Sequence, residues 1–129
     1  MFKKKYVKEE IKKRRNSFRY AIEGIFSAFE SEANMKIHIF IMLLVIILGL
    51  FLKISLNEWF ACILLFCLVI GSELFNTALE EVVNLASPHV NPHAKLAKDL
   101  SAGAVLVFAL GAVVIGCIIF LPKIIELFT

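Results

Sequence analysis

Three stretches of the chain are apolar almost without interruption, at about residues 37–52, 59–79 and 102–121. Each approaches the ~20 residues that a helix needs to cross a bilayer. Backbone groups in hydrocarbon must be bonded within their own segment, and no alternating barrel strands are visible, so each stretch predicts a transmembrane helix. Ahead of the first, Phe18, Ile22, Ile25, Phe26 and Phe29 recur at helical spacing, with Arg19, Glu23 and Glu30 elsewhere around the axis. That pattern predicts an amphipathic helix lying in the membrane interface. Pro88 and Pro92 in "SPHVNPHAK" end the second apolar helix and leave a short loop. The expectation is an all-α membrane protein of one domain, residues 1–129, in which an interfacial segment (1–33) precedes three spans.

Composition agrees. Sixty per cent of the 129 residues are hydrophobic, well above the usual share in a soluble domain. Charge then orients the chain. Of 14 Lys and Arg, ten precede the first span (Lys3, Lys4, Lys5, Lys8, Lys12, Lys13, Arg14, Arg15, Arg19 and Lys36), and Lys95 and Lys98 follow the second. The other side holds only Lys53 and Lys123. Basic residues stay on the cytoplasmic side, so the N-terminus and the loop between the second and third spans are expected inside and the C-terminus outside. A basic segment beside a span reads as an anchor to anionic headgroups rather than as a nucleic-acid site. The first apolar run begins too late for a signal peptide, and the N-terminus is expected to be retained. Cys62, Cys67 and Cys117 lie inside apolar runs without ligand spacing and are expected to be reduced packing residues. Gly103, Gly111 and Gly116 in the third span are expected to admit close helix packing.

The second span carries an anomaly. Its helix is expected to run on into "GSELFNTALEEVVN", and at ~100° per residue Asn76, Thr77, Glu80 and Asn84 all fall within about 60° of Glu73. One polar stripe therefore descends the cytoplasmic half of the helix. Glu30, Glu32, Asn34 and His38 crowd the boundary before the first span, and Lys95, Lys98 and Asp99 open the third. Glu30, Glu81 and Lys95 read as ordinary solvated charges at helix ends. Glu73 does not, because a carboxylate one turn deeper is costly to bury and marks a functional position.

Paired carboxylates suit Mg²⁺, which takes one or two from a protein and fills its shell with water and phosphate oxygens. A lysine pairs with phosphate, and a further carboxylate can take a proton from an attacking hydroxyl. The inventory fits phosphoryl transfer from a magnesium nucleotide to an alcohol at the membrane surface, with neither a GxxxxGK[ST] loop nor the glycine loop and HRD motif of protein kinases. An ion pathway is the competing reading, since channels and transporters also carry carboxylates in their spans. Transporters usually need more spans or repeats.

"ELFNTALE" (73–80) resembles the E-x-x-N-[ST]-A-x-E signature of the prokaryotic diacylglycerol kinase family, and "AKD" (97–99) followed by "AGAVL" resembles its second block. "SFRYAIEGI" and "ESEANMKIH" are similar to its N-terminal blocks in the form of the Gram-positive branch, the undecaprenol kinases. The resemblance covers nearly the whole chain. It implies an ATP- and Mg²⁺-dependent lipid kinase of the bacterial plasma membrane, acting as a homotrimer with sites between subunits, on undecaprenol or else on diacylglycerol. By motif position it implies Glu73 as general base and Glu32 and Glu80 as metal carboxylates. The same two carboxylates, with Asn76, Lys98, Asp99, Ser17 and Tyr20, would contact the nucleotide.

Two places depart from the family. "SPHVNPHAK" stands where a pattern like "SPEYHPLAK" is common, so no nucleotide contact is assigned to that loop, and Asn84 stands where Asp is usual. His89 and His93 lie four apart, but Pro92 interrupts any helix between them and no third ligand is near, so a solvated loop is expected rather than zinc. His38 reads as structural or facing headgroups, and Trp59 as an interfacial anchor.

Overall fold

The structure is a computed structural model that describes residues 2–129, with side chains described from residue 10 onward. Four helices follow one another: α1 (Phe2–Ser31), α2 (Ala33–Phe51), α3 (Leu56–Ala86) and α4 (Pro92–Glu126). Residues 1–33 and 34–129 form two separate compact units. The last three helices are each long and apolar enough to cross a membrane. The all-α expectation holds, with three candidate spans.

In the first unit, α1 carries the expected apolar positions: Phe18, Ile22, Ile25, Phe26 and Phe29 are all exposed. Arg19 pairs with Glu23 at 3.3 Å across one turn. This is the mixed charge and exposed apolar surface of a helix suited to an interface.

In the second unit, the ends of the helices follow from local chemistry. α2 stops in a Schellman arrangement: Ile54 N–H bonds the Gly49 carbonyl at 3.1 Å and Lys53 N–H the Leu50 carbonyl at 3.4 Å. Lys53 takes the left-handed conformation, φ 51°, where glycine is usual. Gly49 is required by what lies against it, since a Cβ there would meet the Trp59 ring at 2.9 Å and Ile54 Cδ1 at 3.1 Å. Trp59 thus packs into the α2–α3 corner, beyond the anchoring expected of it. Ser55 opens α3 with a capping box: its hydroxyl accepts from Glu58 N–H at 3.4 Å while Glu58 Oε2 accepts from Ser55 N–H at 2.6 Å. Asn91 caps α4 by accepting from His93 N–H at 2.8 Å, and Pro92 stands at the first helical position, where its missing N–H costs nothing.

α3 and α4 pack most extensively and run antiparallel in one register. Asn84 meets Lys98 at one end, and Glu58 meets Lys123 at the other, 3.2 Å apart. Near this second end lies the apolar core, Ile54, Cys62, Ile119 and Phe120, backed by Val45, Leu48, Trp59 and Phe66. α4 runs past the span expected from the sequence, through Pro122 to Glu126. A proline there removes the N–H that would bond the Ile118 carbonyl, one turn before the helix ends.

A Cβ at Gly103, Gly111 or Gly116 would meet nothing within 4 Å, so within this chain no helix packs closely on these glycines. The three cysteines are free, as expected, but only Cys62 is buried.

Candidate functional site

α3 continues as one helix of 31 residues through the whole polar stripe. Glu73 is 1% exposed and Asn76 7%, the two buried polar side chains among the described residues. Fully burying them against an apolar helix pair is the costly arrangement the sequence pointed to. Two hydrogen bonds tie side chains of the stripe to α3 itself. Thr77 Oγ1 donates to the Glu73 carbonyl at 3.0 Å, and Asn76 Nδ2 donates to Glu80 Oε1 at 3.2 Å. This fixes the half-buried Glu80 carboxylate above the buried amide. Asn76 Oδ1, also buried, has no hydrogen-bond partner among the described residues. A buried amide oxygen left in that state costs about 1–3 kcal/mol, and a bound polar group would recover it.

The cap of the stripe comes from α4. Lys98, half-buried, donates from Nζ to Asn84 Oδ1 at 2.7 Å and so lies at the head of the same α3 face. Asn84 was read only as a member of the stripe; its role as the acceptor that holds Lys98 was missed, because the contact joins residues far apart in sequence. Asp99 is directed elsewhere. It pairs with Lys95 at 2.5 Å, both largely exposed. The structure therefore joins Glu73, Asn76, Thr77, Glu80, Asn84 and Lys98 on one face and sets Asp99 beside it.

Ser17, Tyr20 and Glu32 belong to the first unit. Ser17 Oγ donates to the Lys13 carbonyl at 3.1 Å, and Tyr20 lies exposed under the Arg19 guanidinium, 5.1 Å from its ring centroid. Glu32 is the single non-helical residue between α1 and α2, and its half-buried side chain accepts from Ser31 Oγ at 3.3 Å. His89 and His93 are exposed on the loop and the first turn of α4.

Among the described residues no group of three or more His, Cys, Asp or Glu could hold a metal ion. A cation at Glu80 would therefore draw most of its oxygen ligands from water and phosphate, which is how Mg²⁺ is commonly bound. Glu80 and the unbonded Asn76 amide oxygen supply the hard oxygen donors such an ion prefers.

Beside the stripe, α2, α3 and α4 enclose an apolar groove of about 370 Å³. It runs from Cys62 and Phe120 up to Val69 and Ile70, with His38 its one ionisable side chain apart from two thiols. Val69 precedes Glu73 by one helical turn on the same face.

Residues 19–120 match the family described as prokaryotic diacylglycerol kinase. The chain is 41% identical to the undecaprenol kinase of Bacillus subtilis over 83% of its own length and 87% of that protein's. It is also 41% identical to a diacylglycerol kinase of Synechocystis, over 86% of its length and 64% of that protein's. A diacylglycerol kinase of Helicobacter pylori is 30% identical over 68% of the chain. The chain belongs to the prokaryotic diacylglycerol kinase family, a family of lipid kinases of the membrane.

Proposed function

We propose that this member of the prokaryotic diacylglycerol kinase family phosphorylates undecaprenol at the cytoplasmic face of the bacterial plasma membrane, with Mg-ATP as donor. The observation that carries the reading is the arrangement along one face of α3: the buried Glu73 carboxylate lies two turns from the half-buried Glu80, which Asn76 holds, and Asn84 holds Lys98 at the head of the face. Along α3 the rise from Glu58 is about 22 Å to Glu73 and about 33 Å to Glu80. With the Glu58–Lys123 pair at the outer boundary, a ~30 Å hydrocarbon core ends just short of Glu80 and leaves Glu73 about 8 Å inside it. A lipid alcohol reaches Glu73 from the bilayer, while a water-soluble nucleotide meets Glu80 and Lys98. That division of depth is what a kinase with one dissolved and one membrane-bound substrate requires.

Glu73 takes the proton of the acceptor hydroxyl as its oxygen bonds to the γ-phosphorus and the bond from that phosphorus to the β-phosphate oxygen breaks, releasing ADP. Lys98, held by Asn84, offers its charge to the phosphates. Asn76 holds Glu80 in place through Nδ2. Glu80, with Glu32 from the N-terminal unit, would hold Mg²⁺, which neutralises charge on the phosphates when bound. Ser17, Tyr20 and Asp99 complete the proposed nucleotide contacts. Assembly as a homotrimer with sites between subunits is proposed on the family resemblance.

Undecaprenol is preferred over diacylglycerol on the "SFRYAIEGI" and "ANMKIH" blocks and on the similarity to the Bacillus subtilis undecaprenol kinase over nearly its full length. The equal identity to the Synechocystis diacylglycerol kinase keeps the second acceptor as the alternative. Transfer of labelled phosphate from ATP by purified protein in mixed micelles, with the two alcohols offered in parallel, decides between them. A clear preference for diacylglycerol overturns the assignment of the acceptor, and magnesium-independent or absent transfer overturns the mechanism.

A further inference from the structure

We propose that His38 is a positioning residue for the lipid acceptor: it holds the alcohol at the mouth of the apolar groove so that the hydroxyl proton faces Glu73. The inference deepens the lipid-kinase reading above and rests on it. His38 lines the groove formed by α2, α3 and α4 and is half-buried there. It makes no hydrogen bond or ion pair with any other described residue, so both ring nitrogens remain available. A half-buried imidazole in an apolar wall, bonded to nothing, gains from a ligand that brings a hydroxyl.

The heights agree. Gly49 and Trp59 touch across the α2–α3 corner and fix a common level on the two helices. From there His38 lies about 16 Å up α2 and Ile70 about 16 Å up α3, which puts His38 level with the upper end of the groove and within one turn of Glu73. Side chains lean toward the N-terminus of their own helix. On the antiparallel pair α2 and α3 this tilts His38 upward and Glu73 downward, toward each other's level.

The groove suits the apolar end of the same molecule. Its volume of about 370 Å³ lies in the range of small-molecule sites, and its other lining residues, Met42, Val45, Leu65, Phe66 and Ile119 among them, offer apolar contact. It lies between three candidate spans, at a depth a membrane alcohol can occupy. The first apolar units of the chain fill the groove, a ring N–H of His38 donates to the hydroxyl oxygen, and the hydroxyl proton is left for Glu73.

The test compares the full-length wild type with H38F and H38Q in mixed micelles, with undecaprenol and Mg-ATP varied separately and the oligomeric mass measured in parallel. Phenylalanine keeps a flat ring for packing and removes both nitrogens; glutamine restores an N–H donor. H38F is expected to raise KM for the lipid alcohol about three- to tenfold, the range of one net hydrogen bond, with KM for Mg-ATP within twofold. H38Q is expected to recover most of the loss. An unchanged lipid KM in H38F, an equal rise in both KM values, or an H38Q no better than H38F overturns the inference. So does a change of oligomeric mass at unchanged lipid KM, because another copy of the chain would then occupy the groove. Failure of the wild type to phosphorylate any lipid alcohol sinks the lipid-kinase reading and this inference together, whereas an active wild type with an indifferent H38F sinks the inference alone.

Discussion

Glu73 and Glu80 lie on one face of α3 about 10.5 Å apart along its axis, and the two should fail in different ways when each is made an amide. E73Q keeps the volume of a side chain that is 1% exposed and can still hydrogen-bond, so the helix pair should fold. What it loses is the ability to accept the hydroxyl proton. Positioned general bases contribute about 10²–10⁴ in rate, equivalent to about 3–5 kcal/mol of barrier. Turnover should fall by that factor with KM for Mg-ATP within about twofold of wild type. E80Q still offers Asn76 Nδ2 an acceptor oxygen in place of the 3.2 Å bond, so that contact survives, but a carboxylate leaves the proposed magnesium shell. KM for Mg-ATP should rise at least about tenfold, and part of the loss should be recovered by raising free Mg²⁺. Initial rates in mixed micelles, with lipid, nucleotide and magnesium varied one at a time, separate the two patterns. Near-normal turnover by E73Q, or a nucleotide defect in E73Q as large as that of E80Q, would refute the division of labour along the stripe.

Other expectations follow from single contacts. Lys98→Met should raise KM for Mg-ATP at least about tenfold, the scale of a charge-assisted hydrogen bond, while KM for the lipid stays within twofold; steady-state kinetics check it. Gly49→Ala should destabilise the α2–α3 corner by about 1–3 kcal/mol, because its Cβ would meet the Trp59 ring at 2.9 Å; a lower midpoint of thermal unfolding in detergent is the readout. Lys53→Gly should stabilise the same corner by about 0.5–1 kcal/mol, since φ 51° at that position strains any residue with a Cβ; an unchanged or lowered midpoint would contradict it. A label on Thr129 should be reached by impermeant reagents from outside the cell only, as the distribution of basic residues requires.

What the sequence disclosed and what it hid divide along a physical line. The spans and the stripe were legible because they depend on local periodicity: a 31-residue helix places Glu73, Asn76, Glu80 and Asn84 together whatever surrounds it. Glu73 was singled out on burial cost alone, and the structure buries it almost completely. Contacts that join distant parts of the chain were not legible. No spacing rule announces that Asn84 will hold Lys98, that Glu58 will pair with Lys123, or that Gly49 is needed so that Trp59 can lie against it. Within one chain the close approach falls at Gly49 in α2 rather than at Gly103, Gly111 or Gly116, and no spacing in the sequence marks it.

That contrast bears on how the site is built. The two polar contacts at opposite ends of α3 and α4 fix the register of an otherwise apolar pair, in which side chains of similar shape could slip by a turn at little cost in lipid, where no hydrophobic force favours one register. A slip of one turn would move Lys98 about 5.4 Å along α3, out of reach of Asn84. The Glu58–Lys123 pair, at the opposite end of the helix pair, thus favours the same register that sets Lys98 beside Asn84.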